Sequence, residues 1–258
     1  LPLGELLRRT DRQYVTALGY PDAGAPWQPG GALTVEFDAG KLRGQVSVAP
    51  FWVPANELLL LARKEDASVL VRATPNGSQA ERLGDAFVVE FDGSPAALVA
   101  EAGEALAAWD RLAIRERLAL LGVTLGTIDR AWRIALDALC EGQRNGNVLA
   151  GEQVAQFQLS DNYLDRLAAE HLALDVAIDA EQGRPFEAKL ALARYYTSGQ
   201  AERCAARALH VASLFLPRMV PVAHWLVQRA HHLSVFGMAR EHEVQLASAG
   251  LIAGMALE

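Results

Sequence analysis

Short apolar runs broken by glycine and proline fill the first third of the chain, and long stretches with helical spacing fill the rest. Leu33–Phe37, Leu42–Val48, Glu57–Ala62, Ser68–Ala73 and Ala86–Phe91 are rich in Val, Leu and Phe and predict five strands. The segments between them carry turn chemistry: Asp38-Ala39-Gly40, Pro75-Asn76-Gly77 and Asp92-Gly93-Ser94-Pro95, where glycine supplies positive φ and proline fixes the entry angle. Ahead of the strands, Leu3–Leu18 reads as one helix, followed by a loop through Pro21, Pro26 and Pro29. Near residue 95 the composition changes to Ala, Leu, Glu and Arg. Helices are predicted at Pro95–Ala108, Arg111–Glu141, Glu152–Glu181, Phe186–Leu216 and Val220–Leu257. In the third of these, Phe157, Leu164, Leu167, Leu174 and Ile178 form one stripe, the face expected to be buried. Gly142 and Gly146, Gly183 and Pro185, and Pro217 and Pro221 mark the breaks. The expected fold class is therefore α+β: a small antiparallel β-barrel or sandwich over residues 1–95, then a four-helix up-down bundle over 96–258.

Composition narrows the partners. The 24 Lys and Arg are outnumbered by 31 Asp and Glu, a formal charge of −7 without a basic block, so nucleic acid is not an expected partner. No segment reads as a membrane span: Leu209–Val227 comes nearest, and Pro217, Arg218, Pro221 and His224 interrupt it. Cys140 and Cys204 are too few and too distant for a disulfide framework or a zinc site, and the expected setting is a reducing cytoplasm. The chain opens at Leu1 without a charged n-region, so no secretory signal is visible, and the natural N-terminus is expected upstream.

Isolated motifs say little. There is no phosphate-binding glycine loop, and Gly122 and Gly126 sit inside a helical pattern; nor is there a Gly-x-Ser-x-Gly elbow. His224, His231, His232 and His242 are spaced by seven, one and ten, whereas two ligands on one helix face stand three or four apart, so no metal site is expected. Phe51-Trp52, between Pro50 and Pro54, suits either a ligand wall or a plug in the barrel core. Cys140 and Cys204 lack a neighbouring basic partner and read as inert packing. Arg130, Arg133, Arg203 and Arg207 read as a solvated face.

The order of parts resembles the acyl-CoA dehydrogenase family, from about Gly30 onward. Gly40-Lys41-Leu42-Arg43-Gly44 and Val53-Pro54-Ala55-Asn56-Glu57, running on to Ala62-Arg63, are similar to the hairpin and strand of that family's middle domain. Leu120-Leu121-Gly122-Val123-Thr124-Leu125-Gly126 through Arg144 resembles the first bundle helix and the arginine that follows it. Gly151-Glu152-Gln153-Val154, leading to Leu159-Ser160-Asp161, resembles the helix that reads Gln-x-Val … Leu-Ala-Asp. Ala188-Lys189 and Glu243-Val244-Gln245 resemble the Ala-Lys of the third helix and the closing Glu-Ile-Gln.

The resemblance implies a flavoprotein oxidoreductase subunit binding FAD through Arg144 and Gln153, with α,β-dehydrogenation of an acyl-CoA thioester as the reaction and lipid metabolism as the setting. It also implies a shortened member without the N-terminal helical domain. The expected partner is a second copy or a full-length relative, in which case the chain would be the non-catalytic subunit of a hetero-oligomer. Several family positions have changed. Arg144-Asn145-Gly146-Asn147 keeps only the arginine of Arg-x-x-Phe-Gly, and His210-Val211-Ala212-Ser213-Leu214 stands where Gln-x-x-Gly-Gly is expected. The flavin-bordering Thr-Glu-Pro … Gly-Ser-Asp segment has no counterpart. Val235-Phe236-Gly237-Met238 occupies the place of the catalytic glutamate, so no catalytic residue is assigned, although Glu241 and Glu243 are close in sequence. The alternative expectation is a non-enzymatic oligomeric scaffold or a CoA-ester-binding protein built on the same fold.

Overall fold

The computed structural model describes residues 16–19, 33–48, 56–74, 79–83, 86–144, 147–235 and 240–255. By its backbone contacts the chain divides into two units, Leu1–Ala113 and Ile114–Glu258.

Among the described residues the first unit contains seven strands: β1 (Thr16–Gly19), β2 (Val35–Asp38), β3 (Lys41–Val48), β4 (Glu57–Lys64), β5 (Ala67–Ala73), β6 (Gln79–Leu83) and β7 (Ala86–Glu101). Five of them close into a barrel in the order β4-β2-β3-β7-β5, with β5 returning to β4; β1 lies beside β4 and β6 beside β7. The pairings are antiparallel except along β4, whose far edge is shared by β1 and β2 running parallel to it. A parallel neighbour needs a long crossover rather than a tight turn, and β2 reaches β4 only through β3 and the segment after it. Inside the barrel Val35, Phe37, Leu42, Val46, Leu58, Leu60, Val69, Val71 and Phe91 form a dry core. Leu59 and Leu61, on the opposite face of β4, pack with Leu70 against Ala105, Ala108 and Trp109 of the following helix. Both faces of β4 are thus covered, which is why its sequence is a continuous run of leucines rather than an alternation.

Turn chemistry is used in two ways. Ala39 and Gly40 both have positive φ and make the two-residue turn between β2 and β3. Gly93, expected in a chain reversal, lies inside β7 instead, as the extra residue opposite the Leu42/Arg43 register shift, with φ +73. Glycine tolerates that bulge, so one strand bends around the barrel for 16 residues where a turn and a helix over Pro95–Ala108 were expected. The helix begins only at Ala102. Thr16–Gly19 is likewise a strand and not the end of a helix; the rest of the expected Leu3–Leu18 helix and the Phe51-Trp52 pair lie outside the described residues.

Among the described residues five α-helices follow: α1 (Ala102–Glu141), α2 (Gln153–Glu181), α3 (Glu187–Phe215), α4 (Val220–Val235) and α5 (Arg240–Met255). The helix expected over Val220–Leu257 is described as α4 and α5, and residues 236–239 between them lie outside the described residues. The second unit centres on small side chains: Ala131 of α1, Ala169 of α2, Ala201, Ala205, Ala208 and Ala212 of α3, and Ala223 and Ala230 of α4, together with Cys204. Alanine at the contact lets helix axes come close. Gly250 carries this to its limit, because a Cβ there would stand 2.2 Å from Ala188 Cβ.

The α2 stripe is reversed. Phe157, Leu164, Leu174 and Ile178 are exposed, with Phe157 and Leu164 above 60%, and Leu167 is half-buried. The buried positions are Asn162, Ala169, Val176 and Asp179. The two polar members are held by ions from other segments: Arg207 donates to Asn162 Oδ1 at 2.7 Å, and Asp179 accepts from Arg184 and Lys189. Arg207 also pairs with Asp165 at 3.2 Å, so it anchors α2 to α3 rather than lying on a solvated face.

Candidate functional site

Within the second unit, α1, α3 and α5 each contribute one charged side chain to a point enclosed by packing. Glu243 of α5 accepts from Arg194 Nε of α3 at 3.3 Å and stands 3.6 Å from Arg117 Nε of α1. All three side chains are at least 95% buried. Arg194 also reaches the Leu233 carbonyl of α4 at 3.4 Å, so four helices meet at this cluster. Two guanidinium ions share one carboxylate, and the Arg117 Nε and Nη2 groups find no hydrogen-bond acceptor among the described residues. Burial draws the Arg117 guanidinium below its ordinary value and the Glu243 carboxylate pulls it back, a direction that marks an ion short of counter-charge.

The next residue along α1 is Glu116. Burial pushes its carboxyl up to about 8, and the Arg194 guanidinium holds it from going higher. A carboxyl in that range keeps its proton at neutral pH and can still lose it to a modest driving force, which suits acid–base work. Neither Glu116 nor the two arginines stood out in the sequence. The available signal was register: Arg117 falls in the buried sequence Ala113, Arg117, Leu120, Leu121, Thr124, Ile128 of α1, and Arg194 between Leu190 and Ala201 of α3. A charge in step with a buried stripe must find a partner inside.

Arg144 lies in a two-strand hairpin, β8 (Gln143–Arg144) with β9 (Asn147–Val148), closed at its base by the Leu149 N–H donating to the Gly142 carbonyl. Gln153 is the first residue of α2 and is exposed. Both residues therefore sit on the α1–α2 connection. Glu152, at the N-cap of α2, makes no side-chain capping bond, and the first turn of the helix contains no acidic residue. The N–H groups at such a terminus favour an anion. At 210–214 Val211 and Ala212 are buried while His210, Ser213 and Leu214 project outward. Glu243 is the innermost carboxylate of the charged cluster rather than a surface group, and Glu241 is on the backbone of α5. Among the described residues no group of three or more His, Cys, Asp or Glu could hold a metal ion. Cys140 is exposed and Cys204 buried, both as free thiols; burial pushes Cys204 up to about 11, which fits inert packing. A shallow cleft of about 330 Å³ between α1 and α2 is lined by Trp132, Leu159, Ser160, Tyr163 and Leu164, with Arg166 over the Trp132 and Tyr163 rings.

The acyl-CoA dehydrogenase C-terminal domain model matches residues 108–214, which span the Glu116–Arg117 pair, the hairpin, α2 and nearly all of α3. By its helical part the chain resembles the acyl-CoA dehydrogenase family, the match covering residues 108–214 of 258. Solved structures agree in fold. The acyl-CoA dehydrogenase of Geobacillus kaustophilus superposes with a TM-score of 0.78 at 14% identity, over 92% of this chain and 69% of that one. Butyryl-CoA dehydrogenase of Megasphaera elsdenii gives 0.76 at 16%, over 92% and 68%. The Tcur3481-Tcur3483 steroid ACAD gives 0.69 at 23%, over 93% and 67%. No curated protein matches the sequence.

The resemblance to acyl-CoA dehydrogenases implies FAD as the cofactor to be tested against these residues. The uncapped α2 terminus fits the phosphate end of such a group. The helix surface at 210–214 presents side chains where a close backbone approach needs glycine, and does not fit one.

Proposed function

We propose that this chain is a FAD-dependent oxidoreductase subunit acting on an acyl-CoA thioester by α,β-dehydrogenation, and that it works in an oligomer with a second copy or a longer relative. The observation that carries the reading is the match of residues 108–214 to the acyl-CoA dehydrogenase C-terminal domain, within which burial pushes the Glu116 carboxyl up to about 8. Abstraction of the α-proton of a thioester is favoured by a base whose pKa lies near the working pH. Glu116 would take that proton, with Arg194 stabilising the carboxylate before transfer. Arg144 and Gln153, with the α2 N-terminus, would hold the cofactor's phosphates. When bound, FAD supplies the hydride acceptor. Exposed Phe157, Leu164, Leu174 and Ile178 along α2 support association, because large apolar side chains on one face are costly to leave in water.

The test is expression of the chain alone and beside a full-length family member, followed by visible spectroscopy and turnover of acyl-CoA. Flavin absorbance in at least one preparation is expected, and colourless protein in both would refute the reading. Within it, a chain that carries its own base loses turnover on Glu116→Gln, whereas one that only completes a partner's site does not.

A non-enzymatic scaffold is the second reading, favoured by the side chains that fill 210–214. It requires a stable oligomer without cofactor, and turnover by the isolated chain would eliminate it.

A further inference from the structure

The outward side of α2 carries a helix-pairing seam that the chain itself leaves open. Phe157, Leu164, His171 and Ile178 recur every seven residues. Ser160, Leu167 and Leu174 each follow one of the first three by three. That alternation of threes and fours is the heptad pattern by which two helices pack side by side along their length. Yet Phe157, Leu164, Leu174 and Ile178 are exposed, Leu167 is half-buried, and α2 turns Asn162, Ala169 and Val176 to the bundle instead. His171 is the one titratable residue in the seam, which is otherwise uncharged.

We propose that the seam is covered by the same seam of a second copy, the two α2 helices running antiparallel about a two-fold axis. This pairing gives the oligomer of the proposed function, on which it rests, a partner and a face. A large apolar residue presents about 200 Å² when free, so Phe157, Tyr163, Leu164, Leu174 and Ile178, exposed by 36% to 62%, offer roughly 500 Å² per copy. A specific interface buries roughly 800 Å² per partner, and the polar margins of the seam supply the difference. Self-complementarity then fixes the register, because antiparallel helices pack the first set of positions against the second. With the axis between Asp165 and Arg166, Phe157 meets Leu174 of the second copy, Leu164 meets its Leu167, and His171 meets its Ser160. Large faces large, and the two polar members meet each other, where an imidazole and a hydroxyl can hydrogen-bond. Sliding either way by a heptad puts an apolar residue, Ile178 or Leu164, against Ser160 and separates it from His171. A parallel pair sets Phe157 on Phe157 and Ser160 on Ser160, so that crowded layers alternate with empty ones. The margins add a signature. Asp161 and Asp175, both exposed, stand four past Phe157 and His171, and antiparallel pairing brings each beside the other in the second copy.

Sedimentation equilibrium of the full chain over a range of concentrations tests the pairing without cofactor or substrate, and a dimer is expected. Leu164→Glu, at an exposed position, should weaken it by about a hundredfold or more, whereas Trp225→Glu, comparably exposed on α4, should not change it. Asp175→Lys should tighten it by roughly threefold or more, since two like-charge contacts become opposite ones. Cysteine cross-linking in a Cys140→Ser background reads the register. Ser160→Cys together with His171→Cys should give a covalent dimer on oxidation, and neither alone should. Within one copy the two positions are about 16 Å apart along the helix, too far to bridge. A monomer at every concentration, a dimer indifferent to Leu164→Glu, weakening by Asp175→Lys, or no cross-link in the double variant would overturn the proposal. Cross-linking by Ser160→Cys alone, the mark of a parallel pair, would do the same. If Leu164→Glu lost its helical circular dichroism, the cross-link would decide alone. A colourless, inactive dimer with the cross-link removes the oxidoreductase reading and leaves the seam standing; a flavin-containing chain without the cross-link does the reverse.

Discussion

Glu116→Gln should leave the protein no less stable at pH 5 and make it clearly more stable at pH 8.5. The native carboxyl is raised from 4.5 to about 8 by burial, so between those values the native state keeps a proton that the unfolded chain has released. Stability then falls as pH rises across that interval and levels off above it. At 1.36 kcal/mol per unit the whole interval is worth at most about 5 kcal/mol. Water that reaches a half-buried side chain screens part of this, leaving about 2 kcal/mol. Glutamine has the same shape and no proton to lose, so the variant escapes the decline. For a chain of this size the gain at pH 8.5 corresponds to roughly 4–8 °C in Tm. Thermal unfolding of both proteins between pH 4.5 and 9, followed by circular dichroism, reads the difference. A gap that stays constant with pH, or that closes as pH rises, would refute the assignment of a buried neutral carboxyl.

Other sites offer independent checks. Gly44→Ala places a Cβ 2.3 Å from the Thr34 carbonyl oxygen at φ +122, and should lower barrel stability by more than about 1 kcal/mol in urea titration, whereas Gly40→Ala, with open space around it, should cost less. Gly250→Ala should destabilise the helical unit by about 1–3 kcal/mol, and adding Ala188→Gly should recover part of the loss in a double-mutant cycle. Asp179→Asn should reduce stability at neutral pH, because Lys189 chiefly, with Arg184, holds this carboxyl below its ordinary 3.8. That contribution is present above pH 3.8 and fades as pH falls through the lowered native value, so the variant and wild type should converge in strong acid. Thiol labelling should be biphasic, with exposed Cys140 reacting at once and buried Cys204, raised to about 11, reacting only as the protein opens.

Most of the element types could be read because each strand and helix carries its own periodicity and stop signals. The expected strands Leu42–Val48 and Ser68–Ala73 fall within β3 and β5, and Gly183, at φ +67, follows α2 where a glycine was expected to end it. The family resemblance was also legible, since an ordered series of short matches survives at identities too low for any one of them to be decisive. The candidate cofactor residues Arg144 and Gln153 were found through that resemblance alone, and the structure places both on the connection between α1 and α2.

Tertiary structure decided the rest. Asp92-Gly93-Ser94-Pro95 has the composition of a turn, but barrel closure requires β7 to run past it, and the same glycine serves as a bulge. Helix α2 carries two stripes with a spacing of seven, Phe157-Leu164-His171-Ile178 and Asn162-Ala169-Val176, and local pattern favours the first, with its larger apolar side chains. The bundle buries the other, because small residues allow close approach and Arg207 satisfies the asparagine. Glu116 has the same ambiguity in its chemistry. A glutamate beside an arginine on a helix looks like an ordinary solvated pair until packing removes the water. Periodicity along the chain states which faces exist; only the contacts among helices distant in sequence choose which face is dry, and a dry environment is what changes a carboxyl's proton affinity.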